Sequence, residues 1–114
     1  MTRQEQYADF IDMQCKLYAY AKAQGIPIRQ GEAQRPQWVA AEYAKEGTGT
    51  LDSKHIYSLA IDLWIINGKQ IIWIDKRYAL LGTFWKSLGG VWGGDFKKRS
   101  DPYHFEYAQA PANI

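Results

Sequence analysis

Cysteine is almost missing from this sequence. Cys15 is the single one in 114 residues, which excludes an internal disulfide and any zinc site built from thiolates. It falls inside a stretch of helical periodicity, where a small packed side chain is expected. Histidine is nearly as scarce, with His55 and His104 alone, so chemistry that needs imidazole is confined to two places. Net charge is small as well. Fourteen basic and twelve acidic residues leave +2, too little by itself to argue for nucleic acid. No apolar run approaches the roughly 18 residues that a membrane span needs. The opening MTRQEQYADF lacks the apolar centre of a secretory leader, so synthesis in a cytoplasm without export by the general route is expected. Internal repeats, low-complexity linkers and the helical His-Glu-x-x-His zinc motif are all missing.

What remains is an ordinary globular balance, 46% apolar and 23% charged, in a length typical of one domain. The chain, 1–114, therefore reads as a single domain with its core over about 26–107 and a leading helix over about 4–24. Tyr7, Phe10, Ile11, Leu17, Tyr18 and Ala21 give the helical spacing, and Gly25 with Pro27 stops it. Residues 26–34 read as extended. Pro36 suits the first turn of a second helix running to about Lys45, and 46–50 read as a small polar loop. The most apolar stretch is 59–66. Asn67-Gly68 after it is a hairpin signal, with 70–74 as the returning strand. Tyr78, Leu81, Phe84, Trp85 and Leu88 predict a third helix within 75–88, ended by Gly89-Gly90. Residues 91–96 read as an irregular, glycine-bent segment, 104–107 as a last short strand, and the tail from Gln109 as frayed. This order predicts an α+β fold, a short antiparallel sheet packed with about three helices.

Asp62 stands out within the apolar stretch. On an extended chain it shares a face with Ala60 and Trp64, while Leu59, Ile61, Leu63 and Ile65 line the other. With both faces this apolar, Asp62 is expected to be buried. A carboxylate there needs a cation, backbone donors or a metal, because removing one partner of a buried pair costs about 3–5 kcal/mol. A salt bridge and a metal site are both open on Asp62 alone. The two histidines stand near carboxylates in segments that read as strand edges. Two imidazoles and one carboxylate would form a three-ligand zinc site with an open fourth position, the arrangement of hydrolytic zinc. Asp101, three residues before His104 and held extended by Pro102, is either a turn-initiating aspartate or a carboxylate that takes a proton from a reacting water. Aromatic residues reach 15%. Most of these rings are expected in the core, with Trp92 and Tyr103 as candidates to flank a cleft. Lys97-Lys98-Arg99 is either a solvated loop or a patch for an anionic polymer.

The segments Ser53-Lys54-His55 and Ala60-Ile61-Asp62-Leu63, followed by Trp92-Gly93-Gly94-Asp95-Phe96 and Asp101-Pro102-Tyr103-His104-Phe105-Glu106, resemble the M15 metallopeptidases. The shared pattern is Ser-x-His, then Ala-x-Asp with its aspartate seven residues after the histidine, then an acid three residues before a final histidine. The resemblance spans about 26–107. It is strongest toward phage endolysins that act as L-alanyl-D-glutamate peptidases, beside D-Ala-D-Ala carboxypeptidases and dipeptidases. It implies a Zn2+ ion held by His55, Asp62 and His104. It further implies Asp101 as general base, where many relatives carry glutamate. Arg35 falls where the family places a substrate-holding arginine, with Arg29 as its rival, and Ser53 falls near metal or substrate. Ser58 stands where many relatives carry glycine, three residues after the first histidine.

The implied activity is a zinc-dependent peptidase that cuts the peptide stem of bacterial peptidoglycan, most closely an L-alanyl-D-glutamate endopeptidase of the endolysin type. The implied partner is peptidoglycan, with no nucleic acid and no stable membrane association, and the implied state is a monomer. Such an enzyme would be made in a host cytoplasm and act in the periplasm or cell wall after release. Two alternatives stand beside it. One is a D-Ala-D-Ala carboxypeptidase or dipeptidase on the same metal frame. The other is a non-catalytic cell-wall binding module, in which His55, Asp62 and His104 would be structural.

Overall fold

A computed structural model of the protein describes residues 1–31, 54 and 57–113. The expected helix from Pro36 and the loop at 46–50 lie outside the described residues. Helix α1 (Arg3–Ala23) opens on a capping box, with the Thr2 hydroxyl accepting from the Glu5 N–H and the Glu5 carboxylate accepting from the Thr2 N–H. These two bonds satisfy amide groups that a helix start otherwise leaves without partners. The buried face of α1 is Gln6, Phe10, Met13, Gln14, Leu17 and Ala21. Two expectations fail here. Ile11 is 56% exposed and Cys15 is exposed, because each is rotated off the stripe that the 3.6-residue repeat turns inward.

Strand β1 (Ile28–Gln30) pairs antiparallel with β2 (Ala60–Asn67), whose far end pairs with β3 (Gln70–Ile72). The hairpin register sets Asn67 opposite Gln70. The two loop residues are thus Gly68 and Lys69 rather than Asn67 and Gly68. Gly68 takes φ of 60°, the glycine-first pattern of a type II′ turn. Helix α2 (Arg77–Ser87) follows, its first turn tied by the Asp75 carboxylate accepting from the Arg77 N–H at 2.8 Å. The segment expected to be irregular carries a short strand, β4 (Val91–Trp92), before a 3-10 turn (Gly93–Asp95). Its partner β5 (His104–Glu106) also pairs with the start of β2, giving the order β1-β2-β5-β4 with β3 beside β2.

Both helices of the described residues cover one face of this sheet. Leu59, Ile61, Leu63 and Ile65 around β2 and Phe105 of β5 pack with Phe10, Leu17, Tyr78, Leu81 and Trp85. Trp85 is fully buried, edge-on to Phe10 at 5.8 Å and to Phe105 at 6.1 Å. Its indole N–H donates to the Glu106 carbonyl at 3.0 Å, which pins β5 to the helix layer. The C-terminal tail is not frayed. The Gln6 side chain, 2% exposed, donates to Ala110 O at 2.9 Å and accepts from Ala112 N at 2.8 Å. A buried amide needs both partners, and the tail supplies them. No helix among the described residues is long and apolar enough to cross a membrane.

Candidate metal centre

The face of the sheet away from the helices is where the polar residues gather. Asp62 lies opposite His104, and Ala60 opposite Glu106, in the β2–β5 register. Opposed residues share a face, as do residues two apart on one strand, so Asp62, His104 and Glu106 stand together. Asp101 reaches the same place from the turn before β5. Its N–H donates to Gly93 O at 2.9 Å, its carbonyl accepts from the His104 N–H at 3.2 Å, and its Oδ1 accepts from the Tyr103 N–H at 3.1 Å. A side chain at position 93 would not fit, because a Cβ there would lie 2.4 Å from Asp101 O and 2.8 Å from His104 Cβ. Trp92 closes the turn from outside, its indole N–H donating to Pro102 O at 2.9 Å.

The outcome is a cluster in which one ligand atom from each of Asp62, Asp101 and His104 lies within 4.8 Å of the others. Asp62 and His104 are buried, 9% and 8% exposed. The two nitrogens of His104 have different neighbours. Nδ1 lies 3.8 Å from Asp62 Oδ1, and Nε2 lies 2.8 Å from Glu106 Oε1. Burial opposes a charge on this imidazole, but hydrogen bonds to Asp62 and Glu106 and the charges of both push its pKa up to about 9. Burial likewise works against the Glu106 carboxylate, and the bonds from His104 and Lys54 hold it below the usual carboxylate range.

This donor set suits a divalent ion. Carboxylate oxygen and imidazole nitrogen are ordinary zinc ligands, and imidazole favours zinc over magnesium or calcium. A metal-binding histidine almost always gives its other nitrogen to a carboxylate or carbonyl, and His104 does so with Glu106. The described residues therefore bring together three of the expected site residues. His55, Arg35 and Ser53 lie outside the described residues.

Aromatic side chains line the strand next to the cluster. A Cβ on Gly31 would lie 3.2 Å from Asp62 Cβ and 2.7 Å from the Trp64 ring, so both side chains close on the backbone at Gly31. Arg29, opposite Trp64 in the register, sets its guanidinium 4.8 Å from the Trp64 ring centroid. Trp73, 49% exposed, meets Trp64 edge-on at 5.4 Å. The two aromatics expected to flank a cleft do other work. Trp92 holds the turn, and Tyr103 packs on Tyr78 and Trp73 while its hydroxyl donates to Trp73 O at 2.7 Å. Lys97, Lys98 and Arg99 are exposed.

Two polar residues of this face had no role assigned in the sequence. Glu106 follows His104 by two residues, a spacing that puts both on one face of any strand. That was the available signal. Lys54 carries no such signal, since its link to Glu106 depends on how the chain returns across the sheet. Ser58 adopts φ of 59°, the left-handed region that favours glycine, at the position where the resemblance expects glycine.

Comparison with known proteins bears on this geometry. A family model described as D-alanyl-D-alanine carboxypeptidase, of the M15 peptidases, matches residues 46–107. Among solved structures, the L-Ala D-Glu endopeptidase ChiX of Serratia marcescens is similar, with a TM-score of 0.62 and 24% identity over 73% of this chain and 68% of that one. That likeness bears on the fold.

Proposed function

This chain belongs to the M15 peptidases, and from that membership we propose that it is a zinc-dependent hydrolase of the peptide stem of bacterial peptidoglycan. The observation that carries the reading is the convergence of Asp62, Asp101 and His104 on one face of the sheet, at positions that the family pattern reserves for ligand, base and ligand. In this reading Asp62 and His104 hold the metal, with His55 completing the set. Zinc, when bound, supplies Lewis acidity that lowers the pKa of a water from 15.7 to about 7. Asp101 takes a proton from the attacking water and passes it to the leaving amine, which makes it general base and then general acid. Two hydrogen bonds fix its backbone and a third, from the Tyr103 N–H, holds its carboxylate, so that group meets the reacting atoms without a search. Arg35 holds a carboxylate of the stem through paired N–H donors, and Ser53 lies beside metal or substrate. Arg29, exposed and stacked on Trp64, is the rival for the arginine role.

Two bonds are candidates. The structural neighbour is named for L-Ala D-Glu cleavage, which favours the endopeptidase reading. The matching family model is described as D-alanyl-D-alanine carboxypeptidase, which favours release of the terminal D-Ala. A digest of purified peptidoglycan read by mass spectrometry, with and without a chelator, separates them. New ends between L-Ala and D-Glu that vanish with chelator are the expected result. Loss of terminal D-Ala would move the protein to the second reading. Full cleavage in chelator would contradict the metal assignment, and no cleavage in either condition would point to the binding-module alternative.

A further inference from the structure

Three side chains, His104, Glu106 and Lys54, form a chain of contacts that leads away from the candidate metal centre. His104 Nε2 meets Glu106 Oε1 at 2.8 Å, and Glu106 Oε2 meets Lys54 Nζ at 2.9 Å. Lys54 Nζ also donates to Tyr107 O at 2.6 Å. The three side chains are 10%, 18% and 17% exposed, so bulk water screens none of these contacts fully. Lys54 is itself fixed by its backbone, because its carbonyl accepts from Tyr57 N at 3.1 Å and from Leu59 N at 2.9 Å. Glu106 has little freedom either, with its carbonyl held by Trp85 Nε1 at 3.0 Å.

We propose that Glu106, held by Lys54, is a positioning residue that selects which nitrogen of His104 faces the metal. A neutral imidazole has one N–H and one lone pair. With a carboxylate 2.8 Å from Nε2, the proton stays on Nε2 and the lone pair is left on Nδ1, the nitrogen directed at Asp62. The hydrogen bond also stops rotation of the ring and raises the basicity of the ligating nitrogen. Lys54 has a separate effect. Among the described residues, this face holds the carboxylates of Asp62, Asp101 and Glu106 beside His104, and Lys54 Nζ lies 2.9 Å from Glu106 Oε2. That contact, with the bond from Lys54 Nζ to Tyr107 O, fixes the direction of the Glu106 carboxylate. Lys54 immediately precedes His55 in sequence. This inference rests on the zinc reading given above.

The test is zinc affinity, measured on the metal-free full chain by competition with a chromophoric chelator. Cobalt absorption spectra of the same proteins report ligand geometry. Glu106→Ala is expected to weaken zinc binding about 10–100-fold and to change the cobalt spectrum. Glu106→Gln keeps an acceptor oxygen but loses the charge, and a smaller loss is expected. Lys54→Met should fall between wild type and Glu106→Ala. If Glu106→Ala fails to fold, the isosteric Glu106→Gln decides by the same measurement. Zinc affinity within twofold of wild type in folded Glu106 variants would overturn the positioning role while leaving the metal site intact. A wild-type chain that binds no zinc would instead defeat the reading on which the inference rests.

Discussion

Asp62 and Leu63 are neighbours in β2, yet they belong to opposite halves of the molecule. Leu63 faces the helices and is 1% exposed among Leu17, Leu81 and Trp85. Asp62 faces away from them and meets His104 across the strand pair. One face of the sheet gains its stability from apolar burial, at about 25 cal/mol per Å² removed from water. The other face places charged groups near one another, an arrangement that stabilises little and is costly when any partner is removed. The difference teaches how a small chain can hold a reactive cluster. The helix-side core fixes the strands, and the fixed strands then impose the register that brings Asp62, His104 and Glu106 together.

The largest effects should come from breaking the two faces separately. Leu63→Ala is expected to lower stability by about 2–5 kcal/mol in denaturant titration, while zinc affinity of the folded fraction stays near wild type. Asp62→Asn is expected to do the reverse, with wall cleavage falling to background and zinc lost, while the helix-side core keeps its cooperative unfolding. If Leu63→Ala abolished zinc binding in a folded protein, or Asp62→Asn left cleavage unchanged, the division between the faces would fail.

A smaller effect concerns pH. In the metal-free protein the His104 pKa stands at about 9, above the ordinary 6.5. A group raised in this way adds stability that is fully present below pH 6.5 and is lost as pH rises through about 9. Thermal unfolding of the metal-free chain should therefore weaken across that interval. His104→Ala should lack this component, and the same slope in both proteins would contradict the assignment.

The smallest effect belongs to the loop that leads into β2. Ser58 has φ of 59°, a conformation in which a Cβ costs roughly 1–2 kcal/mol. Ser58→Gly should raise stability by about 0.5–1 kcal/mol, because the greater freedom of glycine when unfolded returns part of that gain. Denaturant titration of the two proteins checks it, and a loss of stability would contradict it.

Much of this architecture was legible in the sequence, and the parts that were not share a cause. The alternation of Leu59, Ile61, Leu63 and Ile65 against Ala60, Asp62 and Trp64 placed Asp62 on the correct face, because side chains on a strand repeat every two residues. Helices α1 and α2 were visible from their spacing and their stops. Cys15 and Ile11 were misjudged because apolar character alone does not mark the inward stripe, and Gln6 and Gln14 occupy positions on it instead. Strand β4 went unseen because two residues between glycines carry no periodicity, and its pairing is set by Phe105 and Glu106 beyond the intervening turn. The tail was misread for a related reason, since its hydrogen bonds go to Gln6, more than 100 residues away in sequence. In the candidate site, motif spacing marked Asp62, Asp101 and His104. The support of Glu106 by Lys54 was invisible, because it depends on the return of the chain across the sheet.

The most direct test of the account compares wild type with Asp101→Asn for two quantities, zinc per chain by elemental analysis and cleavage of purified peptidoglycan. The account predicts one zinc per chain in both proteins, with the rate reduced about 10²–10⁴-fold in the variant, the contribution typical of a positioned acid or base. Cleavage by Asp101→Asn at the wild-type rate, or full cleavage by a wild-type protein that contains no zinc, would contradict it.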